Sequence, residues 1–182
     1  MTALATTQRL ILRYFADTDR DAFFTYRNDP QLMKFQSTAL PFTKKHLQVF
    51  FKQMQERDIH TQNGWVQIAL EHQETGEMIG DCAFVNHNKT VEIGITITSK
   101  YQKKGYAREA ITALINLLLQ EEVHRFVAVM DVDNLASKRL FEQLGFRQEG
   151  HYLQSYWDQR MQEWRDEYLY ALLDHEFMTK TS

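Results

Sequence analysis

The stretch TVEIGITITSKYQKKGYAREA, residues 90–110, joins two hydrophobic patterns across one basic turn. Polar and apolar residues alternate from Thr90 to Thr98, which is the two-residue period of a half-buried β-strand. After Gly105 the apolar residues recur at helical spacing, at Ala107, Ala110, Ile111, Leu114, Ile115 and Leu118. The stretch therefore predicts a strand, a turn that contains one glycine and several positive charges, and a long amphipathic helix.

The turn between this strand and this helix has the composition of an anion site. The first N–H groups of a helix lack intrahelical acceptors and carry a partial positive charge. Gly105 lets the backbone turn and approach a ligand, and Lys103, Lys104 and Arg108 add formal charge. Two interpretations explain these residues. The turn binds phosphate, or it is a lysine-rich surface turn in which the glycine is needed only for the backbone conformation. The turn has neither G-x-x-x-x-G-K-[ST] nor G-x-G-x-x-G, so a P-loop or dinucleotide fold is not expected.

Strand and helix patterns alternate along the rest of the chain. Strands are predicted at residues 9–13, 65–70, 78–85, 125–131, 146–157 and 163–173. Further helices are predicted to begin at Asp17 or Thr18, at Thr43, and near Asn134, the last ending at Gly145. The short turns between the strands that precede Gly105 favour an antiparallel meander. We predict a single α+β domain over residues 1–182, with one mixed, mostly antiparallel sheet and helices on both faces.

Composition narrows the classes of function. The chain has 182 residues, 43% hydrophobic and 25% charged, with a net charge of −3, which argues against a nucleic-acid-coating role. The opening MTALATTQRLILR lacks an apolar core and no apolar run is long enough to span a bilayer, so neither a signal peptide nor a membrane partner is expected. The lone Cys82 excludes an internal disulfide and fits a reducing compartment, so we expect a cytoplasmic protein. The seven histidines show no metal-ligand spacing, and no metal is expected.

Several motifs resemble one enzyme family. Gln102–Ala107 matches the [QR]-x-x-G-x-[GA] motif of the GNAT N-acetyltransferases, between a strand and a long helix as in that family. Thr7–Arg13 resembles the T-x-R-L-x-L-R opening of the RimJ/RimL-like branch. Asp29-Pro30, Ile79-Gly80, Glu92-Ile93-Gly94 and residues 134–146 follow in that branch's order, so the likeness runs from Thr7 to Leu173.

This resemblance implies a GNAT-like fold, acetyl-CoA as cosubstrate and an amine as acceptor. In the family the backbone amides of the motif hold the pyrophosphate, and the pantetheine arm lies along the preceding strand, in a gap where it diverges from residues 125–131. Asn134 matches the asparagine that contacts this arm, although helix capping explains the same residue. The implied cofactor-binding residues are Ile95, Thr96, Ile97, Gln102, Lys103, Lys104, Gly105, Tyr106, Ala107, Arg108, Asn134 and Ser137.

The reaction implied by the resemblance needs a neutral amine, since a protonated amine has no lone pair. A base must therefore take a proton at neutral pH, directly or through water. Glu92 is the candidate base, because many family members place a glutamate near the start of this strand; an acid that anchors local structure is the alternative. Ser137 is the candidate donor to the departing sulfur. Many GNAT proteins have a tyrosine as general acid four residues later, where this chain has Phe141.

The acceptor stays open among several classes. The RimJ/RimL-like branch includes enzymes that acetylate protein N-termini, notably of ribosomal proteins, and it borders enzymes acting on polyamines, antibiotics and metabolites. A non-catalytic acyl-CoA-binding module is the alternative of another class. Aromatic residues near the C-terminal strands are core packing or an acceptor-pocket wall, and nearby acids suit a cationic amine: Tyr152, Tyr156, Trp157, Trp164, Glu149, Asp158, Glu163 and Asp166. The sequence does not determine an oligomeric state.

Overall fold

Successive strands joined by short turns pair with one another, as the meander pattern predicts. The computed structural model describes residues 2–36 and 41–181. Its strands are β1 Ala3–Thr6, β2 Leu10–Arg13, β3 Val66–His72, β4 Met78–His87, β5 Thr90–Ile97, β6 Arg125–Asp131, β7 Arg147–Asp158 and β8 Glu163–Leu173. They form one sheet in the order β1-β2-β3-β4-β5-β6-β8-β7. The pair β5–β6 is parallel and the other neighbours are antiparallel, so the predicted α+β class and mixed sheet are confirmed.

Helices cover both faces of the sheet. Their bounds are α1 Arg20–Arg27, α2 Lys44–Gln55, α3 Tyr106–Leu118, α4 Leu135–Leu144 and α5 Asp174–Thr181. α3 and α4 bury their apolar stripes in the larger core cluster, where Ile111 and Phe141 belong to the same packed set as Ile93 of β5. α1 and α2 form a second cluster around Phe23 and Phe51. No helix in the described ranges is long and apolar enough to cross a membrane.

The predicted helix ends have mixed outcomes. Thr43 caps α2 as predicted, because its hydroxyl accepts the N–H of His46 at 3.2 Å. Gly145 ends α4 as predicted, in the left-handed region with φ at 93°. The predicted start of α1 at Asp17 or Thr18 is wrong. Residues Asp17–Asp19 form a 3-10 turn, since the Asp19 carboxylate accepts the N–H of Ala16 at 2.7 Å and closes that turn first.

Two elements lack a clear sequence signal. β1 has four residues, too few to show a period, and it is held by antiparallel pairing with β2. α5 follows β8 without a turn residue between them, so the apolar run of β8 conceals where the helix begins. Phe177 of α5 is buried in the larger core cluster. Tertiary packing, rather than local pattern, stabilises both elements.

A buried arginine joins three separate segments beneath the sheet edge. The Arg13 side chain is 5% exposed and donates two hydrogen bonds to the Asp19 carboxylate, at 2.7 and 2.9 Å. Its Nε donates to Glu71 of β3 at 2.6 Å. The three charges tie β2, β3 and the turn before α1 together, and every partner depends on the one guanidinium.

We predict that Arg13→Met destabilises the fold by about 3–5 kcal/mol, because it leaves the Asp19 carboxylate buried without its cation. Urea unfolding followed by circular dichroism measures the change. Lys89→Met is the matched control, since it removes an exposed cation paired with Glu122 at the surface and should leave the midpoint nearly unchanged. Equal midpoints for the two variants would contradict the anchoring role of Arg13.

Candidate active site

A cleft opens in the middle of the sheet where β5 leaves β6. The parallel ladder between the two strands ends at the pair Glu92–Val127. Beyond this pair β5 continues to Ile97 along β4, while β6 continues to Asp131 along β8. The facing edges of the two strands therefore present backbone N–H and C=O groups that have no ladder partner. The predicted gap between these strands is confirmed.

The basic turn lies at the end of this cleft. After Ile97 a 3-10 turn, Ser99–Tyr101, leads into it. Lys103 and Gly105 have positive φ, at 60° and 86°, and Gly105 is the N-cap of α3. Lys103, Lys104 and Gly105 are exposed. The first N–H groups of α3 thus open onto a surface with positive formal charge, which is the geometry of an anion site.

Two residues predicted to bind the cofactor have side chains that bond within the protein. The Gln102 amide donates to the carbonyl of Ile97 at 2.9 Å, which fixes the turn on the strand. The Tyr106 ring is buried, and its hydroxyl lies 2.9 Å from Nε2 of His72. The Tyr106 side chain is therefore turned away from a ligand, while Gln102 remains exposed. Ala107 packs against the larger core, and Arg108 is exposed on the first turn of α3.

The predicted pantetheine strand presents its side chains to both faces of the sheet. Ile95 and Ile97 pack with the larger core on the α3 side, and Ile97 is 7% exposed. Thr96 lies on the opposite face, as the alternation of a strand requires. Its hydroxyl is 3.4 Å from the side-chain amide of Gln36, which follows α1. The backbone of this segment, rather than these side chains, borders the cleft.

The start of α4 lies at the end of β6. The side-chain oxygen of Asn134 accepts the N–H of Ser137 at 3.2 Å, so Asn134 caps the helix. The Ser137 side chain is half-buried, and its hydroxyl makes no hydrogen bond within the described residues. Phe141 is 3% exposed and packs edge-on against Phe146, with ring centroids 5.0 Å apart. The position of the family's tyrosine is thus part of the hydrophobic core.

Glu92 lies where the ladder between β5 and β6 ends, and it is half-buried. Burial raises the pKa of the Glu92 carboxyl above its usual value, and the nearby Glu167 carboxylate raises it further. Neither glutamate forms an ion pair within the described residues, while Glu167 accepts a hydrogen bond from Ser155 at 2.7 Å. The two carboxylates are close enough for the charge of Glu167 to act on Glu92, so the surroundings of Glu92 are negative. Glu167 was missed in the sequence, because its place beside Glu92 depends on β8 pairing with β6.

A second missed group is Asp131, at the end of β6. Its carboxylate accepts two hydrogen bonds from Arg165, both at 3.0 Å, and one from the Tyr156 hydroxyl at 2.6 Å. It also accepts the N–H of Asp133 at 2.7 Å, which shapes the turn into α4. Although partial burial opposes the effect, the hydrogen bonds from Arg165 and Tyr156 lower the pKa of the Asp131 carboxyl. This network ties the β7–β8 hairpin to the N-terminus of α4.

The hairpin of β7 and β8 carries the predicted aromatic residues. Trp157 and Trp164 pack edge-on with centroids 5.7 Å apart, and both are substantially exposed, at 41% and 56%. At its tip Arg160 donates to the carbonyl of Lys34 at 2.8 Å, so the hairpin meets the segment that also carries Gln36.

Each of the four acids predicted to make the pocket negative has a partner, an arginine for three of them and a histidine for Asp166. Glu149 pairs with Arg125 and Arg147, and Asp158, Glu163 and Asp166 pair with Arg160, Arg165 and His151. The negative charge at the cleft is therefore carried by other acids. No group of three or more His, Cys, Asp or Glu side chains in the described ranges has the arrangement of a metal site.

Comparisons with known proteins agree on one family. The family model "Acetyltransferase (GNAT) domain" matches residues 9–147. The uncharacterized N-acetyltransferase YnaD of Bacillus subtilis (strain 168) is 30% identical over 175 residues, which cover 94% of this chain and 98% of YnaD.

Solved structures show the same fold. A GNAT-family acetyltransferase from Bacillus anthracis superposes with a TM-score of 0.83 at 28% identity, covering 94% of this chain and 98% of that one. Spermidine N-acetyltransferase from Vibrio cholerae, solved with CoA and spermine, gives 0.81 at 19% identity over 94% and 99% of the chains. RimL, a ribosomal L7/L12 alpha-N-protein acetyltransferase solved with CoA, gives 0.77 at 22% identity over 94% and 98%.

We predict that the pKa of Glu92 lies above that of a free glutamate and falls when Glu167 is replaced by Gln. The substitution removes the like charge but keeps the size of the side chain. Carboxyl chemical shifts of ¹³C-labelled glutamate, followed against pH, report the change. Glu163→Gln is the control, since it removes a carboxylate from the same strand that is paired with Arg165. It should leave the pKa of Glu92 unchanged. If the pKa of Glu92 is the same in Glu167→Gln as in the wild type, the two carboxylates do not interact.

Proposed function

This chain belongs to the GNAT acetyltransferase family, and we propose that it acetylates the α-amine of a protein N-terminus at the acidic end of the β5–β6 cleft. It uses acetyl-CoA, the cosubstrate of the family. The observation that carries the proposal is the separation of β5 from β6, which has the positive turn at Gly105 beyond the end of β5 and Glu92 where the ladder closes. An anion and an amine thus have sites at opposite ends of one opening.

The turn before α3 is the proposed site of the pyrophosphate. Free N–H groups at the N-terminus of α3 suit two phosphates, and the left-handed Gly105 brings the backbone close without a side chain in the way. The thioester arm then lies along the unpaired edge of β5, residues 93–97, and its amides bond to the strand backbone. The charge of Lys103 and Lys104 supports the phosphates from the solvent side.

Glu92 is the proposed base. A carboxylate whose pKa is raised accepts a proton more readily than an ordinary glutamate does. It takes the proton of the ammonium group, directly or through a water molecule, and the neutral nitrogen forms its bond to the thioester carbonyl carbon. A backbone N–H on the open edge of β5 stabilises the oxyanion, and the carbon–sulfur bond then breaks.

Ser137 is the proposed donor to the departing sulfur. Its hydroxyl makes no hydrogen bond to any residue that the structure describes, and it lies on the first turn of α4, beside the cleft. Phe141 cannot donate a proton, so the sulfur leaves as a thiolate that Ser137 or water solvates. A thiol pKa near 8.5 makes this departure tolerable close to neutral pH.

The exposed apolar surface of the β7–β8 hairpin favours a macromolecular acceptor. Five large apolar side chains on and between β7 and β8 are exposed: Tyr152, Leu153, Trp157, Met161 and Trp164. Apolar groups gathered on one hairpin are typical of surfaces that contact another chain. A peptide whose first residue enters the cleft would rest on this hairpin, and its α-amine would meet Glu92.

A polyamine is the second candidate, and the carboxylates favour it. Glu92 and Glu167 present two negative charges without cationic partners, which suits an acceptor with more than one ammonium group. The two candidates differ in where the rest of the acceptor lies: on the apolar hairpin or within the acidic recess. We expect the protein to act in the cytoplasm, where acetyl-CoA is made available.

We predict that a panel of short peptides with free N-termini supports release of the CoA thiol from acetyl-CoA, whereas the same peptides with blocked N-termini do not. Spermidine is assayed beside them at equal concentration, with a thiol-reactive dye as readout and mass spectrometry to locate the acetyl group. A preference for peptides supports the first acceptor class and a preference for spermidine supports the second. If neither the peptides nor spermidine is acetylated, both proposed acceptor classes are wrong.

We predict that Glu92→Gln lowers kcat by roughly 100-fold or more at neutral pH, the usual contribution of a general base. The loss should shrink at high pH, where the amine is increasingly neutral without help. In the wild type, activity should fall as the pH drops through the raised pKa of Glu92, since the protonated acid takes no proton.

Turnover against pH for the wild type, Glu92→Gln and the control Glu122→Gln measures this effect, with acetyl-CoA affinity as the check of folding. Glu122 is an exposed surface acid paired with Lys89, and its replacement should change nothing. Matching profiles for all three proteins would make Glu92 a structural residue.

A further inference from the structure

An arginine from the far end of the sheet holds the basic turn in place. Arg9 lies just before β2, and its Nη1 donates to the backbone carbonyl of Lys104 at 3.0 Å. Its Nε and Nη2 lie 2.7 and 2.6 Å from the Glu109 carboxylate, on the first part of α3. The guanidinium also stacks on the Tyr106 ring, 4.2 Å from its centroid. The Arg9 side chain therefore contacts the basic turn, α3 and the Tyr106 ring that lies between them.

Glu109 in turn holds Arg9 in a single orientation. Its other oxygen accepts the Thr7 hydroxyl at 2.6 Å and the backbone N–H of Arg9 at 2.9 Å. Although burial opposes the effect, the hydrogen bonds from Thr7 and Arg9 lower the pKa of the Glu109 carboxyl, which therefore stays charged at neutral pH. The Glu109 side chain is 16% exposed and that of Arg9 is 37% exposed. Thr7, Arg9 and Glu109 form one hydrogen-bonded unit behind the turn.

The contact with Lys104 has a consequence for the next residue. In a trans peptide the C=O of one residue and the N–H of the following residue point in opposite directions within one plane. Because Arg9 binds the carbonyl of Lys104, the N–H of Gly105 points away from Arg9. A β-carbon placed on Gly105 would lie 3.4 Å from Nη2 of Arg9, so the guanidinium also closes this side of the turn.

We propose that Arg9 is a positioning residue for acetyl-CoA: by binding the Lys104 carbonyl, it aims the N–H of Gly105 at the pyrophosphate without touching the phosphates itself. This inference rests on the proposed placement of the pyrophosphate at the turn. It gives the Thr7–Arg9 part of the opening motif a function that packing of β2 alone does not require.

The alternative is that Arg9 acts as one more positive charge near the phosphates. The two roles predict opposite effects of removing Glu109. If Arg9 acts by charge, Glu109→Ala deletes a carboxylate near the phosphates and frees the guanidinium, so binding of the pyrophosphate tightens. If Arg9 acts by position, Glu109→Ala releases it from the Lys104 carbonyl and binding weakens.

The test compares acetyl-CoA with acetyl-pantetheine, a thioester that lacks the pyrophosphate and the nucleotide. The readout is the ratio of kcat/KM for the two thioesters with one saturating amine acceptor. Arg9→Met should lower this preference for acetyl-CoA about tenfold, the loss expected for one hydrogen bond to a charged group. The change should lie in the KM for acetyl-CoA, while kcat and the use of acetyl-pantetheine stay near wild-type values.

Two further variants and one control complete the set. Glu109→Ala should also lower the preference, and Arg9→Lys should lower it less than Arg9→Met, because one ammonium group reaches either Lys104 or Glu109. Arg20→Met removes a half-buried arginine that pairs with Asp17, far from the turn in sequence, and should leave the ratio unchanged. Thermal unfolding of each variant shows whether it folds. If Arg9→Met does not fold, Arg9→Lys and Glu109→Ala still decide the question.

The outcomes separate this inference from the proposed function. A wild type that uses both thioesters equally well, together with a Gly105→Val variant that does the same, removes the phosphate site and the proposed function with it. A wild-type preference that Gly105→Val abolishes but Arg9→Met leaves intact overturns the role of Arg9 alone. A stronger preference in Glu109→Ala assigns Arg9 a direct charge effect and likewise overturns the positioning role.

Discussion

The parallel pairing of β5 with β6 is the constraint on which the rest of the structure depends. Parallel neighbours require a crossover, because the chain must return to the starting edge, and here α3 makes that return. A crossover helix begins where the first strand ends, so the N-terminus of α3 lies at the end of β5 from which β6 has diverged. One topological feature thereby places free helix N–H groups beside free strand N–H groups. The basic turn and the cleft both follow from the parallel pairing of β5 with β6.

Three arginines keep this arrangement rigid, and each joins segments that are far apart in sequence. Arg13 connects β2 with β3 and the turn before α1, Arg9 connects β2 with the start of α3, and Arg165 connects β8 with the end of β6. A guanidinium that donates two hydrogen bonds to one carboxylate, as each of these three does, accepts a narrow range of orientations. Such contacts add little to stability when both charges are desolvated, and their value lies in geometry.

The sequence predicted the elements whose pattern is long and local. The alternation of β5, the helical spacing after Gly105 and the cap at Thr43 needed only neighbouring residues, and the motif around Gly105 placed the anion turn. The roles of Glu167, Asp131 and Arg9 were not predicted, because each acts on a residue of a distant element, a strand for the first two and α3 with its preceding turn for Arg9. The acids expected to make the pocket negative illustrate the same limit. Glu149, Asp158, Glu163 and Asp166 look free in the sequence, but folding brings an arginine to the first three and His151 to Asp166.

Phe141 stands where many GNAT proteins have a tyrosine as general acid, and its side chain fits the hydrophobic core of this fold. A hydroxyl at this position would have to leave the core, whereas the phenyl ring packs against Phe146 and is almost completely buried. Its burial stabilises α4 against the sheet, and α4 carries Asn134 and Ser137 at its other end. A general acid matters most when the leaving group is strongly basic, and a thiolate is only weakly so at neutral pH. The chemistry therefore places a smaller demand on the general acid than on the base, the role proposed for Glu92, since an ammonium group with a pKa near 8 to 10 cannot react until it has lost its proton.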